Sequence, residues 1–334
     1  MREITFSSHP DQIIQDLGKD RLLEHLTSML LVRNFEMRAE SAYLQGKIGG
    51  FFHAYIGQEA IQTASIAAAG TDHFWSTSYR CHALALLLGV DPKELMAELY
   101  GKETGNAKGR GGSMHFFAKN LLGGFGIVGG QVPIATGAGF TIKYKQLKDK
   151  VSFCFLGDGA VAQGAFHESL NLASLWHLPC LYIVENNQWG MGTAVGRALA
   201  AQPIAKAHAG AYDISFCSID GMDFFHCYSG IKAALAEIKA TSKPVLIEAS
   251  VERFRGHSIS DPGLYRSKEA LKHCMERDPL SIMFKTLSHY GIVDEERYKV
   301  IDKEQKDIVL EAMRYAEESS WPDPITLEEG VYAP

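Results

Sequence analysis

Two apolar stretches that end in polar residues decide the fold: Val151-Ser-Phe-Cys-Phe-Leu-Gly-Asp-Gly159 and Cys180-Leu-Tyr-Ile-Val-Glu-Asn-Asn187. Each is short and apolar, as expected of a strand buried on both faces of a parallel sheet. Residues 165–176, which lie between them, have the pattern of a helix, and Pro244-Val-Leu-Ile-Glu-Ala-Ser250 is a third apolar stretch. Strands that alternate with helices predict an α/β fold, with a parallel sheet and helices on both of its faces.

Helical sequence flanks this core at both ends of the chain. Apolar residues recur at helical spacing over residues 21–45, and charged helical sequence prevails from residue 267 onward. We therefore expect a single unit made of three segments. These are an N-terminal helical segment at 1–45, the α/β core at 46–266, and a helical C-terminal extension with its tail at 267–334.

The composition excludes several classes of protein. Of the 334 residues, 46% are hydrophobic and 22% are charged, which is typical of a folded globular protein. The net charge of -6, without basic blocks, argues against nucleic-acid binding. No apolar run reaches the roughly 18 to 20 residues of a membrane span, and the N-terminus lacks the apolar stretch of a signal peptide. The six cysteines are too scattered for a disulfide framework, so we expect free thiols and a cytoplasmic location.

Asp158 and Asn187 stand just past the carboxyl ends of the first two predicted strands. Consecutive parallel strands joined by one helix bring those ends together, at the edge where open α/β sheets bind ligands. Gly157 and Gly159 let the backbone approach a bulky anion, and carboxylate and amide oxygens suit Mg²⁺. The alternative is an ordinary Gly-Asp-Gly turn followed by capping asparagines. The spacing of the motifs favours a metal-bridged diphosphate site.

Gly157-Asp-Gly159 followed by Asn186-Asn187 resembles the motif of enzymes that bind thiamine diphosphate. Four further stretches narrow the resemblance to the alpha subunit of the decarboxylating component of 2-oxo acid dehydrogenase complexes, and the pyruvate type fits best. They are Lys108-Gly-Arg-Gly-Gly-Ser-Met-His115, Gly126-Ile-Val-Gly-Gly-Gln-Val-Pro133, Glu185-Asn-Asn-Gln-Trp-Gly-Met-Gly-Thr193 and Arg255-Gly-His-Ser-Ile-Ser-Asp-Pro-Gly263. The resemblance extends over residues 20–325 and implies the thiamine-diphosphate-binding fold.

The activity implied by the resemblance is the decarboxylation of pyruvate, a small 2-oxo acid. The resulting hydroxyethyl or acetyl group passes to a lipoyl group of an acyltransferase partner, and the implied cofactors are thiamine diphosphate and Mg²⁺. Asp261-Pro-Gly263 favours pyruvate over branched-chain substrates by resemblance only. The alternative is the alpha subunit of an acetoin or branched-chain 2-oxo acid dehydrogenase.

The resemblance also implies ligands for both cofactors. Mg²⁺ would bind the side-chain oxygens of Asp158 and Asn187 and the backbone carbonyl of Trp189, where the family often has tyrosine. The residues implied for the cofactor are Gly159 and Ala160 at the diphosphate through backbone amides, Tyr79 and Arg80 on its other side, Gly126 and Val128 at the aminopyrimidine through their backbones, and Ala118 near the same pocket.

Two histidines, His53 and His257, are the candidate catalytic residues. Imidazole exchanges protons readily near neutral pH, and His257 is also expected to contact the cofactor from a polar loop at 253–266 that fits a lid. For His115, a hydrogen-bonded structural histidine is an equal alternative. In relatives, a serine at the position of Ser258 can be phosphorylated, which would add negative charge at the mouth of the pocket.

Two other motifs compete with this interpretation. Gly124-Phe-Gly-Ile-Val-Gly129 matches the dinucleotide fingerprint, which should follow a strand and precede an acidic residue that comes after the next strand. Residues 116–122 form a weak strand at best, and Asp149 precedes the next predicted strand instead of following it. Asp149-Lys150-Val151 is similar to the tripeptide around a lipoylated lysine, but it leads into a buried strand. We reject both motifs.

One residue required by the chemistry must come from outside the chain. Thiamine-diphosphate enzymes need a glutamate beside the aminopyrimidine, and in two-chain members a separate beta subunit supplies it. Glu59 and Glu185 are the internal candidates, but both lie in stretches that match the alpha pattern, so we interpret them as structural. We expect an α2β2 heterotetramer with a beta subunit, docked onto a lipoyl-bearing acyltransferase core. No nucleic acid or membrane is expected as a partner.

Overall fold

The computed structural model describes residues 2–331, which are built around a six-stranded parallel sheet. The strands are β1 (Phe74–Ser78), β2 (Leu121–Phe125), β3 (Ser152–Gly157), β4 (Cys180–Asn186), β5 (Trp189–Gly190), β6 (Thr193–Ala194), β7 (Ser215–Asp220) and β8 (Val245–Ser250). The sheet has the order β2-β1-β3-β4-β8-β7, while β5 and β6 pair as a separate short hairpin. The three predicted strands are thus present as β3, β4 and β8.

Helices precede, connect and follow these strands. They are α1 (Pro10–Leu17), α2 (Lys19–Leu44), α3 (Glu59–Ala69), α4 (His82–Leu87), α5 (Pro92–Leu99), α6 (Gln131–Tyr144), α7 (Gly164–Leu175), α8 (Val195–Ala198), α9 (Ile204–Ala211), α10 (Phe224–Thr241), α11 (Lys268–Glu276), α12 (Pro279–His289) and α13 (Glu295–Glu318). Short 3-10 turns cover Asp158–Ala162 and Pro324–Glu328. Among the described helices, none is both long and apolar enough to cross a membrane.

Successive side chains of a strand point to opposite sides of the sheet, and helices bury both of these faces. In β3, Phe153 and Phe155 pack in a core cluster with residues of α2, α3 and α10. Cys154 and Leu156 lie in a second cluster, with residues of α6, α7 and α9. The prediction of an α/β fold with helices on both faces is therefore confirmed.

The C-terminal helices pack against the N-terminal ones. Helix α13 lies along α2 and α5, and the Asn34 amide of α2 donates a hydrogen bond to Asp302 of α13 at 2.9 Å. Arg33 pairs with Asp278, the capping residue that opens α12. The predicted helical C-terminal extension is confirmed, while the division of the chain at residues 45 and 266 stays a prediction.

The expectation of a weak strand at best over residues 116–122 is confirmed. Only Leu121 and Leu122 of that stretch belong to a strand, β2, which covers residues 121–125 and runs into the Gly124–Gly129 motif, while α6 begins two residues after the motif. The apolar residues are few because Gly123 and Gly124 occupy the strand interior, where loop residues 81 and 114 pack against Gly124. The second objection to dinucleotide binding is unaffected, since Asp149 precedes β3.

Candidate cofactor and metal site

The two residues on which the site depends come together at the carboxyl edge of the sheet. Gly157 at the end of β3 is paired in register with Glu185 of β4, so Asp158 and Asn187 follow neighbouring strand ends. The backbone amides of Asn187 and Gly159 lie near the Asp158 carboxylate and favour its charged form. Both side chains are buried or nearly so, Asp158 at 2% exposed and Asn187 at 9%.

The chemistry of Asp158 fits a divalent cation. Its Oδ2 is buried and has no hydrogen-bond partner among the described residues. Burial raises the pKa of this carboxyl to about 6, although the backbone amides and Arg253 oppose the shift. An ionised carboxylate only accepts hydrogen bonds, so a cation would satisfy both the free oxygen and the desolvated charge.

The two adjacent asparagines have different partners. Asn187 Oδ1 accepts the amide of Trp189 at 3.1 Å, which leaves this oxygen a second lone pair. Asn186 instead donates to the Glu248 carboxylate at 2.8 Å and accepts the amide of Gln188 at 3.0 Å. Asn186 therefore holds the turn after β4, and Asn187 is the one that retains capacity for a ligand.

Two glycine backbones approach each other next to Asp158. A Cβ atom added to Gly159 would lie 3.4 Å from the Cα of Gly190 in the β5–β6 hairpin, so two glycine backbones approach each other here. The ring of Trp189 packs on Tyr265, with centroids 5.1 Å apart. The indole of Trp189 thus packs on another aromatic side chain. This is compatible with the prediction that Trp189 contributes only its backbone carbonyl to the metal.

The described residues provide no protein-only metal centre. No group of three or more His, Cys, Asp or Glu side chains within residues 2–331 is placed to hold an ion. With one carboxylate, one amide and one carbonyl as the predicted ligands, an ion here would need further oxygens. Mg²⁺ commonly completes its coordination with phosphate oxygens and water.

Residues predicted from three separate motifs form one aromatic cluster. The ring centroids of His53 and Tyr79 are 4.4 Å apart, those of His53 and His257 are 5.0 Å apart, and those of Tyr79 and His257 are 5.5 Å apart. The buried Arg80 donates to the backbone carbonyls of Ala54 and His257. Arg80 therefore ties the segments that carry the two histidines to the end of β1.

Both histidines of the cluster are neutral near pH 7. Burial lowers the pKa of His53 to about 2 and that of His257 to about 4, and the nearby Arg80 lowers both further. His53 Nδ1 is buried without a hydrogen-bond partner among the described residues. A neutral imidazole with a free nitrogen can accept a proton from a ligand.

The residues predicted at the aminopyrimidine flank the two ends of β2. Gly126 and Val128 follow its carboxyl end, and a Cβ atom added to Gly126 would lie 3.6 Å from the His115 ring. Ala118, in contrast, bridges to Leu121 at the amino end of β2. The structure therefore does not bring Ala118 to the carboxyl edge with the others, and its role stays a prediction.

The loop at 253–266 is held by hydrogen bonds around Asp261. This carboxylate accepts the His257 amide at 2.6 Å, the Gly263 amide at 2.9 Å and the Tyr265 hydroxyl at 2.6 Å. Ser258 is 7% exposed, so modification of its hydroxyl would require the loop to open. The behaviour of this loop as a lid stays a prediction.

The two internal glutamates are engaged elsewhere. Glu59 pairs with Arg33 at 2.5 and 3.0 Å and accepts the Gly57 amide. Glu185 is buried and accepts the Tyr55 hydroxyl, and burial raises its pKa to about 7. The six cysteines are free, as predicted.

One buried residue of the site, Arg253, carries no signal in the sequence. It is the first residue of the polar loop, but no motif of the sequence assigns it a ligand. Its charge reaches Asp158, His53 and His257. Its full burial, which requires the structure, distinguishes it from Arg255 and Arg266 of the same loop, which are half-buried.

Comparisons with known proteins agree with these observations. Residues 27–325 match the family described as Dehydrogenase E1 component. The chain is 44% identical to the pyruvate dehydrogenase E1 component subunit alpha of Rickettsia conorii over 316 residues, which cover 94% of this chain and 96% of that one. The proteins of the same name from Rhizobium meliloti (41% over 313 residues, 93% and 89% covered) and, as a mitochondrial form, from Schizosaccharomyces pombe (39% over 320 residues, 95% and 77% covered) are similar too. The resemblance predicted from the motifs is confirmed, and the chain belongs to the dehydrogenase E1 component family.

Proposed function

We propose that this chain is the alpha subunit of a pyruvate dehydrogenase E1 component. It decarboxylates pyruvate with thiamine diphosphate and passes the hydroxyethyl or acetyl group to a lipoyl group of an acyltransferase. The observation that carries the proposal is the buried Asp158 carboxylate, whose free oxygen lies at the shared strand edge beside Asn187. The names of the relatives support pyruvate over acetoin or branched-chain substrates.

The residues that would hold the cofactors are those predicted from the motifs. Asp158, Asn187 and the carbonyl of Trp189 would hold Mg²⁺, and the amides of Gly159 and Ala160 would hold the diphosphate. The close approach of Gly159 to Gly190 supports this arrangement, since the amides proposed for the diphosphate then lie next to the hairpin that carries Trp189. When bound, thiamine diphosphate supplies the carbanion that attacks a 2-oxo acid and the ring that accepts the electrons released with carbon dioxide.

The histidine cluster supplies proton transfer and position. His53 and His257 are neutral at physiological pH because burial and Arg80 disfavour their charged forms. Each neutral imidazole can therefore donate one hydrogen bond and accept another, and His257, whose pKa is lowered less, takes up a proton more readily than His53. Arg80 holds the carbonyls of Ala54 and His257, which fixes the distance between the two imidazoles. The loop at 253–266 covers the histidines and limits the access of water.

An exposed apolar face supports a protein partner. On α6 and at the end of α7, large apolar side chains remain exposed, and Phe140 contacts the rings of Tyr144 and Trp176. Ile134 and Leu175 extend this face, which we call the α6–α7 face. Contiguous exposed apolar side chains of this size commonly mark subunit interfaces. We infer that a beta subunit packs on this face, in an α2β2 heterotetramer in the cytoplasm. The beta subunit supplies the glutamate beside the aminopyrimidine, since Glu59 and Glu185 are engaged elsewhere in this chain.

The proposal is tested by measuring thiamine-diphosphate-dependent turnover of pyruvate, acetoin and branched 2-oxo acids. Release of carbon dioxide reports on the 2-oxo acids, and release of acetaldehyde reports on acetoin. The chain is assayed alone and after co-expression with a beta subunit. We expect decarboxylation of pyruvate only when the beta subunit is present. A preference for acetoin or a branched 2-oxo acid would establish the alternative, and activity of the lone chain would refute the shared site.

A further inference from the structure

Glu98 is a buried carboxylate outside the set of residues proposed for the reaction. It lies near the end of α5 and is fully buried. Its Oε2 accepts the backbone amides of Ala107 at 2.8 Å and Gly109 at 2.9 Å. Its Oε1 accepts the backbone amide of Gly111 at 2.6 Å. Three amides of one loop thus satisfy a single buried charge, and this charge in turn fixes the backbone around it.

The loop around Glu98 covers residues 105–115, and we call it the glycine loop. It contains the motif at 108–115, for which the proposed function has no use. A Cβ atom added to Gly109, whose φ is +74°, would lie 2.6 Å from the Gly101 carbonyl oxygen, so this close packing requires glycine. Glycine-rich loops often present their amides to a phosphate. Here the Glu98 carboxylate occupies the amides, so the loop serves as a scaffold and not as a phosphate site.

The glycine loop contacts the segment that carries His53. The Ser113 hydroxyl donates a hydrogen bond to the Phe51 carbonyl. The Ser113 carbonyl accepts a hydrogen bond from Nε2 of the buried His82 at 2.9 Å. The His82 ring in turn stacks on Phe52, with ring centroids 5.0 Å apart. The loop therefore holds the two residues that directly precede His53.

The end of the glycine loop packs against β2 and the residue that follows it. A Cβ atom added to Gly124 would lie 2.5 Å from the Met114 carbonyl oxygen, and one added to Gly126 would lie 3.6 Å from the His115 ring. Gly126 is a residue predicted at the aminopyrimidine. The predicted metal ligand Asp158 instead follows β3, and β1 lies between β2 and β3 in the sheet. The loop therefore packs on the part of the site proposed for the thiamine end of the cofactor.

We propose that Glu98 is a positioning residue for the thiamine end of the cofactor. By holding the glycine loop, Glu98 fixes the places of Gly126 and of the segment that carries His53, without touching the cofactor itself. This inference rests on the proposed function and adds a residue that acts from outside the pocket. Binding of the diphosphate end, at Asp158, should not depend on the loop.

The test compares Glu98→Gln with Glu94→Gln, an exposed glutamate of the same helix. Glutamine has the size of glutamate, but its NH₂ group faces an amide donor where the carboxylate has an acceptor, so the loop loosens. The full chain, with its co-expressed beta subunit and MgCl₂, is titrated by calorimetry with thiamine diphosphate, and inorganic diphosphate is measured in competition. We expect Glu98→Gln to weaken the affinity for thiamine diphosphate by about 10-fold, because binding must then also order the loop. Its affinity for inorganic diphosphate should stay unchanged, and Glu94→Gln should bind both like the natural chain.

The difference between the two ligands separates positioning from a general role in stability. Unchanged affinity of Glu98→Gln for thiamine diphosphate would overturn the proposal, and so would an equal loss of affinity for both ligands. If circular dichroism shows that Glu98→Gln does not fold, Ser113→Ala is used, which removes the hydrogen bond to the Phe51 carbonyl. That variant must show the same selective loss. Failure of the natural complex to bind thiamine diphosphate would instead refute the proposed function.

Discussion

At the scale of single residues, the site depends on side chains that burial leaves without their usual partners. Asp158 has a free oxygen, and His53 has a free ring nitrogen, among the described residues. Each would be costly in a protein with no ligand. Their convergence on one strand edge supports a site built for a charged cofactor.

The first prediction concerns turnover and His257. In His257→Ala the cofactor affinity should stay nearly intact, while kcat for pyruvate falls by about 10²- to 10⁴-fold because a proton-transfer group is lost. Steady-state kinetics and calorimetry on the complex measure the two quantities. Ser260→Ala, an exposed change in the same loop, is the control and should alter neither. Loss of cofactor affinity at unchanged kcat would show that His257 serves binding only.

The second prediction concerns stability and pH. The folded pKa of His257, about 4, lies below the ordinary value of 6.5, so the unfolded chain takes up a proton first as the pH falls. Stability from the neutral histidine is therefore present above pH 6.5 and is lost as the pH falls toward 4. With allowance for partial exposure, His257→Gln should lose about 1 kcal/mol less unfolding free energy than the natural chain between pH 7 and pH 5. Urea unfolding at both pH values measures this. An equal loss in both proteins would contradict it, and the exposed His289→Gln serves as the control.

At the scale of elements, the sequence predicts the strands that carry the chemistry better than the others. β3, β4 and β8 are recognisable because their side chains are apolar on both faces. In β1, by contrast, Trp75 is followed by Ser76 and Thr77, and β7 also alternates with serine. In β2 two glycines replace side chains, so its strand character arises from pairing with β1.

The same contrast holds for the site. The spacing of the motifs predicts that Asp158 and Asn187 lie together, since neighbouring parallel strands end at one edge. His53 and His257 were predicted from the motifs of the family resemblance, and the structure brings their rings within 5.0 Å of each other. The burial of Arg253 and its hydrogen bond to the Tyr265 hydroxyl, in contrast, depend on the folded arrangement of the loop and are not visible in the sequence. Similarly, only the hydrogen bonds to Glu248 and Gln188 separate Asn186, which holds a turn, from Asn187.

The third prediction tests β2. A Cβ atom at Gly124 would lie 2.5 Å from the Met114 carbonyl and 2.6 Å from Cys81 Sγ. Gly124→Ala should therefore destabilise the chain by about 1–3 kcal/mol through overpacking. Gly137→Ala, in α6 with nothing within 4 Å, should instead stabilise it by about 0.5–1 kcal/mol. Denaturant unfolding measures both, and a neutral Gly124→Ala would show that the loop does not pack on β2 as described.

At the scale of the whole molecule, the chain combines a buried core with an exposed apolar face. The buried clusters on both faces of the sheet account for its folding, while the α6–α7 face stays exposed. The two internal candidates for activating an aminopyrimidine, Glu59 and Glu185, are engaged with Arg33 and Tyr55. Both features are expected of a subunit that functions in a larger assembly.

The fourth prediction concerns that assembly. Phe140→Glu should prevent co-purification with the beta subunit, because it places a charge in the centre of the α6–α7 face, without changing the melting temperature of the lone chain. Ile308→Glu, at similar exposure on α13, is the matched control and should assemble normally. Size-exclusion chromatography of the co-expressed chains measures both. Normal assembly of Phe140→Glu would place the partner elsewhere.

The central claim is that Asp158 and Asn187 hold a divalent ion that binds the cofactor's diphosphate. Calorimetric titration with thiamine diphosphate, with and without Mg²⁺, tests this directly. The samples are the natural assembly, the Asp158→Ala variant and, as a control, the Asp149→Ala variant. The carboxylate of Asp149 is exposed and precedes β3. The account predicts magnesium-dependent binding in the natural protein and in Asp149→Ala, and none in Asp158→Ala. Magnesium-dependent binding that survives in Asp158→Ala would contradict it.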